Sequence, residues 1–374
     1  MTRVNPGFIK EVKKLGAFDI SACYNCGNCT AICPLASEGH EFPRKLIRYS
    51  ILGLEEKVLS SPEIWLCYYC GECTDSCPRQ ADPGGLMMAL RRFVIQRYSI
   101  GKIAKAFYDK TLAAITWIIL TIIAALGLYI FREPSPNWEH ADIFSFISMD
   151  FVHDAGLAVG VIVGIAALVN LAIMYKSISR SYSRTVESGL HVGLWIKNLI
   201  KVVIYEAAAQ LKYTKCANKN RYIAHMALFW GFVGLFVTTL IVFGIDFYGL
   251  QVSKIVPLIT GCVFGVALLY GSTYFIAMRI SKKEAYSKYT HHSDWVFLVL
   301  LFLAGLTGFL LTLFRLSDVP APSYIMFAIH LIVVFNLLLT APFTKFAHAV
   351  YRPLALWIVN TKDEICEKTK KSSS

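Results

Sequence analysis

Charge is scarce in this 374-residue chain: Asp, Glu, Lys and Arg make up 17% of it, against 56% apolar residues that include 24 Phe. That balance excludes an ordinary soluble globule and implies a membrane protein. Acidic residues are the rarer sign, 25 Asp and Glu against 37 Lys and Arg, for a net charge of +12. The basic excess gathers in loops between apolar runs, as orientation signals do, so nucleic acid is not an expected partner. No G-x-G-x-x-G fingerprint follows a strand pattern, which argues against a dinucleotide site. No two cysteines are adjacent, and no acidic residue sits in the middle of an apolar run, where an ion path would need one. The opening MTRVNPGFIKEVKK has no apolar stretch of the kind a secretory leader needs. The cysteine-rich part is therefore expected to stay in the reducing cytoplasm.

What is present begins with cysteine. Cys23 to Pro34 reads CYNCGNCTAICP, and it returns 44 residues later as Cys67 to Pro78, CYYCGECTDSCP, with eight of twelve positions identical. Each copy has C-x2-C-x2-C-x3-C-P spacing, the bacterial ferredoxin run, in which three close thiolates hold one cubane and the fourth, before proline, reaches the other. The pattern predicts one 4Fe-4S cluster on Cys23, Cys26, Cys29 and Cys77, and a second on Cys67, Cys70, Cys73 and Cys33. A zinc ribbon would use two CxxC pairs and four thiolates, not eight in two quartets. Gly27 and Gly71 fall where the chain must bend tightly, which suits a residue tolerating positive φ. Pro34 and Pro78 stop each run from continuing as helix. Ile32, Leu35, Trp65 and Leu66 are expected to keep water off the clusters. Cys216, Cys262 and Cys366 lack ligand spacing and receive no role.

The expected fold class is all-α: an α-helical ferredoxin domain over residues 1–110, a six-helix transmembrane bundle over 111–351, and a polar tail over 352–374, disordered from 362. Around the cysteines, apolar residues at helical spacing predict helices beginning near Phe8, Pro43 and Leu86. On the last of these, Arg91, Arg92 and Arg97 read as a solvated face near the membrane. Six runs are long enough for a bilayer core of about 30 Å. They lie near 112–131, 151–175, 222–247, 255–279, 294–314 and 323–348. The loop over 132–150 carries one Arg against Glu133, Glu139, Asp142 and Asp150, whereas 176–221 holds nine Lys or Arg. That asymmetry predicts a multi-pass protein of the cytoplasmic membrane with both termini cytoplasmic. Residues 190–211, interrupted by Lys197, Lys201 and Glu206, read as an amphipathic helix on the inner lipid surface. Gly156, Gly160 and Gly164 form a small-residue stripe suited to close helix packing.

Four histidines fall in or at the edge of these runs, where ionisable groups point to function. His330 and His348 are eighteen residues apart, five turns or about 27 Å along one continuous helix. One helix could then serve two haems b stacked across the bilayer. His225 lies at the depth of His348, and the two are the expected axial pair of the inner haem. His330 with His153 is the expected outer pair. His291 and His292 read as interfacial; His40, His140 and His191 as soluble-domain or loop residues. The quinone site is not legible, apart from Asp154 beside His153, which could accept a quinol proton but reads more simply as a helix-end carboxylate.

Two cluster runs, the PRKLIRYSILG segment between them and the histidine-bearing spans behind them resemble a fusion of the C and E subunits of heterodisulfide reductase. That arrangement is found in the membrane component of the quinone-interacting membrane-bound oxidoreductase (Qmo) complex of sulfate reducers. The membrane half is also similar to nitrate reductase gamma-type cytochrome b, in which the early span carries a second histidine ten residues after the first; here that position is Leu235. The resemblance implies menaquinone as a cofactor, soluble flavin- and iron-sulfur-bearing partner subunits, and adenylylsulfate reductase as the eventual acceptor. Menaquinol would be oxidised and electrons passed through haems and clusters to the partners. Reverse flow toward menaquinone, or a redox-sensing membrane anchor or transporter, are the alternatives.

Overall fold

The computed structural model describes residues 3–36, 39–182, 191–211, 214, 218–284 and 287–373. It is all-α: among the described residues the only β pairing is an isolated bridge between Arg132 and Ile147. Among the described residues the α-helices that come first are α1 Phe8–Lys14, α2 Asn28–Ala31, α3 Arg44–Ile51, α4 Glu55–Leu59, α5 Glu63–Leu66, α6 Glu72–Asp75, α7 Pro83–Tyr98 and α8 Ala104–Tyr108. They enclose a core that includes Phe8, Leu46, Ile64, Trp65, Leu86 and Phe93. Then follow α9 Lys110–Ile130, α10 Met149–Tyr182, α11 Val192–Lys201, α12 Lys219–Tyr248, α13 Ile255–Ser281, α14 His292–Leu316, α15 Pro320–Thr340 and α16 His348–Ser373. Among the described residues six helices are long and apolar enough to cross a membrane: α9, α10, α12, α13, α14 and α15, the last with its 3-10 extension to Phe343.

The spans divide into a tight group and a loose one. Helices α12 and α13 touch backbone to backbone, because a Cβ on Gly271 would lie 2.6 Å from the Ala224 carbonyl oxygen and one on Gly231 2.6 Å from the Leu268 nitrogen. Leu268, Leu301 and Leu337 make the core between α13, α14 and α15. In contrast α9 and α10 present Ile118, Ile123, Leu157 and Leu168 outward, as lipid-facing side chains would be. The glycine stripe on α10 departs from expectation: among the described residues a Cβ on Gly156, Gly160 or Gly164 would meet nothing within 4 Å, so this stripe seats no described helix.

Three further expectations are corrected. His330 and His348 do not share a continuous helix: α15 ends at Thr340, two 3-10 turns flank an extended Thr344 (φ −112°, ψ −170°), and His348 opens α16. Pro342 lies at this break and has no backbone N–H to continue the α-helical ladder. The tail is not disordered from 362, because α16 runs to Ser373 and buries Tyr351, Ala355, Ile358, Val359 and Ile365. These recur at helical spacing, a pattern obscured in the sequence by Pro353 and by the charges that follow. The arginines of α7 are not a solvated face. Arg92 is 6% exposed and pairs with Asp294 of α14 at 2.6 Å, while Arg91 donates to the carbonyls of Ile64 and Cys67. Arg97 pairs with Glu55 and Glu11.

Helix α11 has the apolar outer face foreseen for residues 190–211, with Val192, Ile196, Leu199 and Ile200 exposed. Its inner side is clamped to α16 by Trp195 against Trp357 and by Lys197 and Asn198, which donate to the Glu364 carboxylate at 2.8 and 3.1 Å. It continues as a π-helical stretch, Val202–Ala208, which ends close to α12.

Candidate functional site

The two cysteine runs fold alike. In each, a glycine in the left-handed region, Gly27 at φ +91° and Gly71 at φ +101°, starts a one-turn helix, α2 or α6. A backbone N–H points at sulfur at the same place in both: Asn25 to Cys23 Sγ and Tyr69 to Cys67 Sγ, each 3.3 Å. Ala81 N–H adds a third such contact, to Cys77 Sγ at 3.4 Å. N–H groups aimed at sulfur suit thiolates, and they are among the features that tune a cluster's potential. The copies interlock through Asn28, whose side-chain amide donates to the Ser76 carbonyl at 2.7 Å.

Burial pushes the thiols of Cys29, Cys33, Cys67 and Cys73 up. Cys29 is raised chiefly by desolvation, with Cys23, Cys26 and Cys77 adding to it. Cys33 is pushed up to about 11 by desolvation, with Cys67 and Cys70 contributing. Cys73 is raised by the same cause, its thiol neighbours being Cys67, Cys70 and Cys33, with a weaker influence from Cys29. Metal binding at such thiols must release protons. Of the residues foreseen as a water barrier, Trp65, Leu66 and Leu35 are buried, whereas Ile32 is 43% exposed. Among the described residues no group of three or more His, Cys, Asp and Glu converges on a single-ion site; a cubane, by contrast, takes its thiolates on separate iron corners.

A cavity of about 430 Å³ lies where the cysteine domain meets the spans. His225 and His348 both line it, with ring centroids 6.5 Å apart. His348 Nδ1 is 2.6 Å from the Lys345 carbonyl oxygen, which can only accept, so Nδ1 carries the proton. His225 Nδ1 is 2.7 Å from the Gln210 side-chain oxygen, just beyond the π-helical stretch. In both rings Nε2 is then the nitrogen that would bind a metal. The lining of the cavity includes apolar Leu228, Phe229, Phe232 and Leu301 and basic Arg221, Arg279, Lys345 and Arg352. Asp294, which also lines it, receives Arg92 at 2.6 Å and Lys345 at 3.5 Å.

The other two histidines have different neighbours. His330 Nδ1 is 2.9 Å from Thr307 Oγ1 of α14, and His153 packs edge-on against Phe243 and Phe247 of α12. Neither lines the large cavity. Asp154 is exposed beside His153. His291 and His292 stack at 4.0 Å at the start of α14, and His140 meets Asp318 in the loops. Cys216 lies outside the described residues.

Sequence reasoning missed Gln210, Arg221 and Arg352. Arg221 precedes His225 by four residues and Arg352 follows His348 by four, so each basic group shares a helix face with a histidine. That R-x3-H and H-x3-R symmetry was the available signal.

A family model for citrate utilization protein B matches residues 141–369, and one for a 4Fe-4S dicluster domain matches residues 19–81. A protein of Archaeoglobus profundus described as like the C subunit of heterodisulfide reductase is 44% identical over 94 residues, 25% of this chain and 50% of its own. Citrate utilization protein B of Escherichia coli is 29% identical over 145 residues, 37% of this chain and 38% of its own. The C subunit of the H(2):CoB-CoM heterodisulfide,ferredoxin reductase of Methanothermobacter thermautotrophicus is 31% identical over 59 residues, 16% of this chain and 32% of its own. The chain thus spans half or less of the length of these relatives. No solved structure matches.

Proposed function

The chain belongs to the citrate utilization protein B family, whose model spans residues 141–369, and from that premise we propose that it is the membrane-embedded electron-transfer subunit of a quinol-linked oxidoreductase complex. Two 4Fe-4S clusters, one on Cys23, Cys26, Cys29 and Cys77 and one on Cys67, Cys70, Cys73 and Cys33, would occupy the cysteine domain. The dicluster match and the likeness to the C subunit of heterodisulfide reductase support that half of the reading.

The observation that carries the membrane half is the cavity shared by His225, His348 and the second cysteine run. A metal–imidazole bond is about 2 Å, so ring centroids 6.5 Å apart leave room for one metal between the two Nε2 atoms. The apolar lining suits a macrocycle, and Arg221 and Arg352 suit its carboxylates. We therefore propose one haem b here, held by His225 and His348. Bound there, it would supply one-electron transfer without a bond change. Gln210 and the Lys345 carbonyl orient the two rings, the aromatic and aliphatic wall keeps water away, and Arg221, Lys345 and Arg352 offset negative charge. His330 and His153 do not line this cavity, and the proposal is confined to one haem.

The donor in this reading is menaquinol and the acceptors are soluble flavin- and iron-sulfur-bearing subunits on the cytoplasmic side, where both termini would lie. Adenylylsulfate reductase as the eventual acceptor comes from the resemblance. The test is the visible spectrum of the purified protein, with and without a reduced menaquinone analogue. Reducible haem b bands are expected in the natural protein and should vanish in His225→Ala and in His348→Ala. Bands that survive both substitutions would overturn the reading.

A further inference from the structure

The two cysteine runs are near-identical in sequence but not in surroundings. Cys67 is 7% exposed and Tyr68 8%, whereas their counterparts in the first run, Cys23 and Tyr24, are half-buried and 62% exposed; Cys26 is exposed where Cys70 is half-buried, while Cys29 is more buried than its counterpart Cys73. Cys33, Cys67, Cys70 and Cys73 all line a small cavity whose wall includes Tyr68 and Tyr69. The same two tyrosines line the large cavity that holds His225 and His348. None of Cys23, Cys26, Cys29 and Cys77 lines either one.

The tyrosine pair is gripped from the membrane side. Arg221, one helical turn before His225, donates to the Tyr69 carbonyl at 2.6 Å and the Tyr68 carbonyl at 3.5 Å. Arg352, one turn after His348, lies 4.8 Å from the centre of the Tyr68 ring. Tyr69 itself is in the left-handed region at φ +56°, where the first run has Asn25 at φ +65°. Asn visits that region readily, but a bulky side chain there is an outlier. An unfavourable residue held at this one place by a buried arginine is an observation that points toward function.

We infer that the quartet Cys67, Cys70, Cys73 and Cys33 is the membrane-facing electron station, that Tyr68 and Tyr69 with Arg221 and Arg352 connect it to the histidine cavity, and that the quartet Cys23, Cys26, Cys29 and Cys77 is the water-facing station that exchanges with a soluble redox protein. The second run in sequence is thus the first from the membrane. One electron moves at a time, the receiving station being reduced and the donating one oxidised, with no proton or bond transferred. Tyr69 and Arg221 act as positioning residues. The inference rests on the electron-transfer reading above.

The test uses the full chain in detergent or nanodiscs, as Cys70→Ala and Cys26→Ala, each leaving one complete quartet. After mixing with a reduced menaquinone analogue, freeze-quench electron paramagnetic resonance should detect the remaining cluster becoming reduced in Cys26→Ala and staying oxidised in Cys70→Ala. The reverse pattern would overturn the inference. A second arm needs no haem: a dysprosium chelate in the water should relax the dithionite-reduced cluster left in Cys70→Ala strongly and the one left in Cys26→Ala weakly. Equal or inverted relaxation also overturns it. Absence of haem b bands would sink the preceding functional reading while leaving this arm intact. In Tyr69→Asn, which restores the residue of the first run, reduction of the cluster on Cys67, Cys70, Cys73 and Cys33 should slow by about tenfold, the low end for loss of a group that supports a metal ligand, with the haem spectrum unchanged. An unchanged rate would remove the tyrosine from the connection.

Discussion

Position for position, the two cysteine runs offer a natural comparison. Gly27 and Gly71 turn the chain in the same way, and Thr30 and Thr74 each use the hydroxyl to accept a backbone N–H, from Arg44 and Gly84. Beyond these local features they part. The first run faces solvent behind Arg44, which is itself exposed and bonded to Asn25. The second lies beneath α7 and against α12 and α16. Local sequence therefore sets the shape of the thiolate loop, while the segments that follow it decide whether the loop is a surface or an interior.

The comparison breaks most sharply at the arginines. Arg92→Met should lower unfolding free energy by about 3–5 kcal/mol, because removing one partner of a buried pair leaves the Asp294 carboxylate short of its closest cation. Arg44→Met, beside the first run, should cost no more than about 1 kcal/mol. Chemical unfolding followed in detergent would measure both, and equal costs would dissolve the distinction. Next in size is Gly84→Ala, whose added Cβ would lie 2.8 Å from Thr74 Oγ1 and 2.9 Å from a ring carbon of Tyr69. A loss of about 1–3 kcal/mol is expected from that overpacking, with the signal of the second cluster disturbed and the first spared. A smaller difference is kinetic. An iron chelator should strip the cluster with exposed Cys26 several-fold faster than the one with buried Cys67, as followed by their separate paramagnetic signals.

The smallest effect concerns the clamp on α16. Hydrogen bonds from Lys197 and Asn198 hold the Glu364 carboxyl below its ordinary range. Its contribution is therefore present at neutral pH and is lost as pH falls through that lowered value. Glu364 lies near the surface, so Glu364→Gln should cost no more than about 0.5 kcal/mol. Hydrogen exchange in α11 should rise in the variant and, in the natural protein, only on acidification.

Much of this was legible in the sequence because it depends on near neighbours. Cysteine spacing is set within twelve residues, and span length follows from additive hydropathy, so the thiolate pattern and six apolar helices could be read directly. The short segment over 341–347 could not. Apart from Thr344 and Lys345 it continues the apolar run of the helix before it, and Pro342 was the main hint of the break that turns His348 into the start of a new helix. The burial of Arg92 was hidden for a different reason: its partner Asp294 is 202 residues away, and nothing within α7 distinguishes Arg92 from a solvent-facing arginine. Gln210 was equally silent, since its meaning depends on His225 lying beside it. The missed residues all have roles set by contacts between distant segments.

Tyr351 has a bearing on biosynthesis. Its ring packs at 5.2 Å against Trp65 and 5.9 Å against Tyr98, both in the core of the cysteine domain. A ribosome making this protein finishes all six apolar spans before it reaches that tyrosine. The cysteine domain, though translated first, therefore keeps a gap in its interior beside Cys67 until the last helix is released and docks. During that interval the side of the cysteine core that α16 covers in the folded protein would be open. A truncation before Tyr351 should accordingly yield a chain that inserts in the membrane yet carries a leaky, oxygen-sensitive inner cluster.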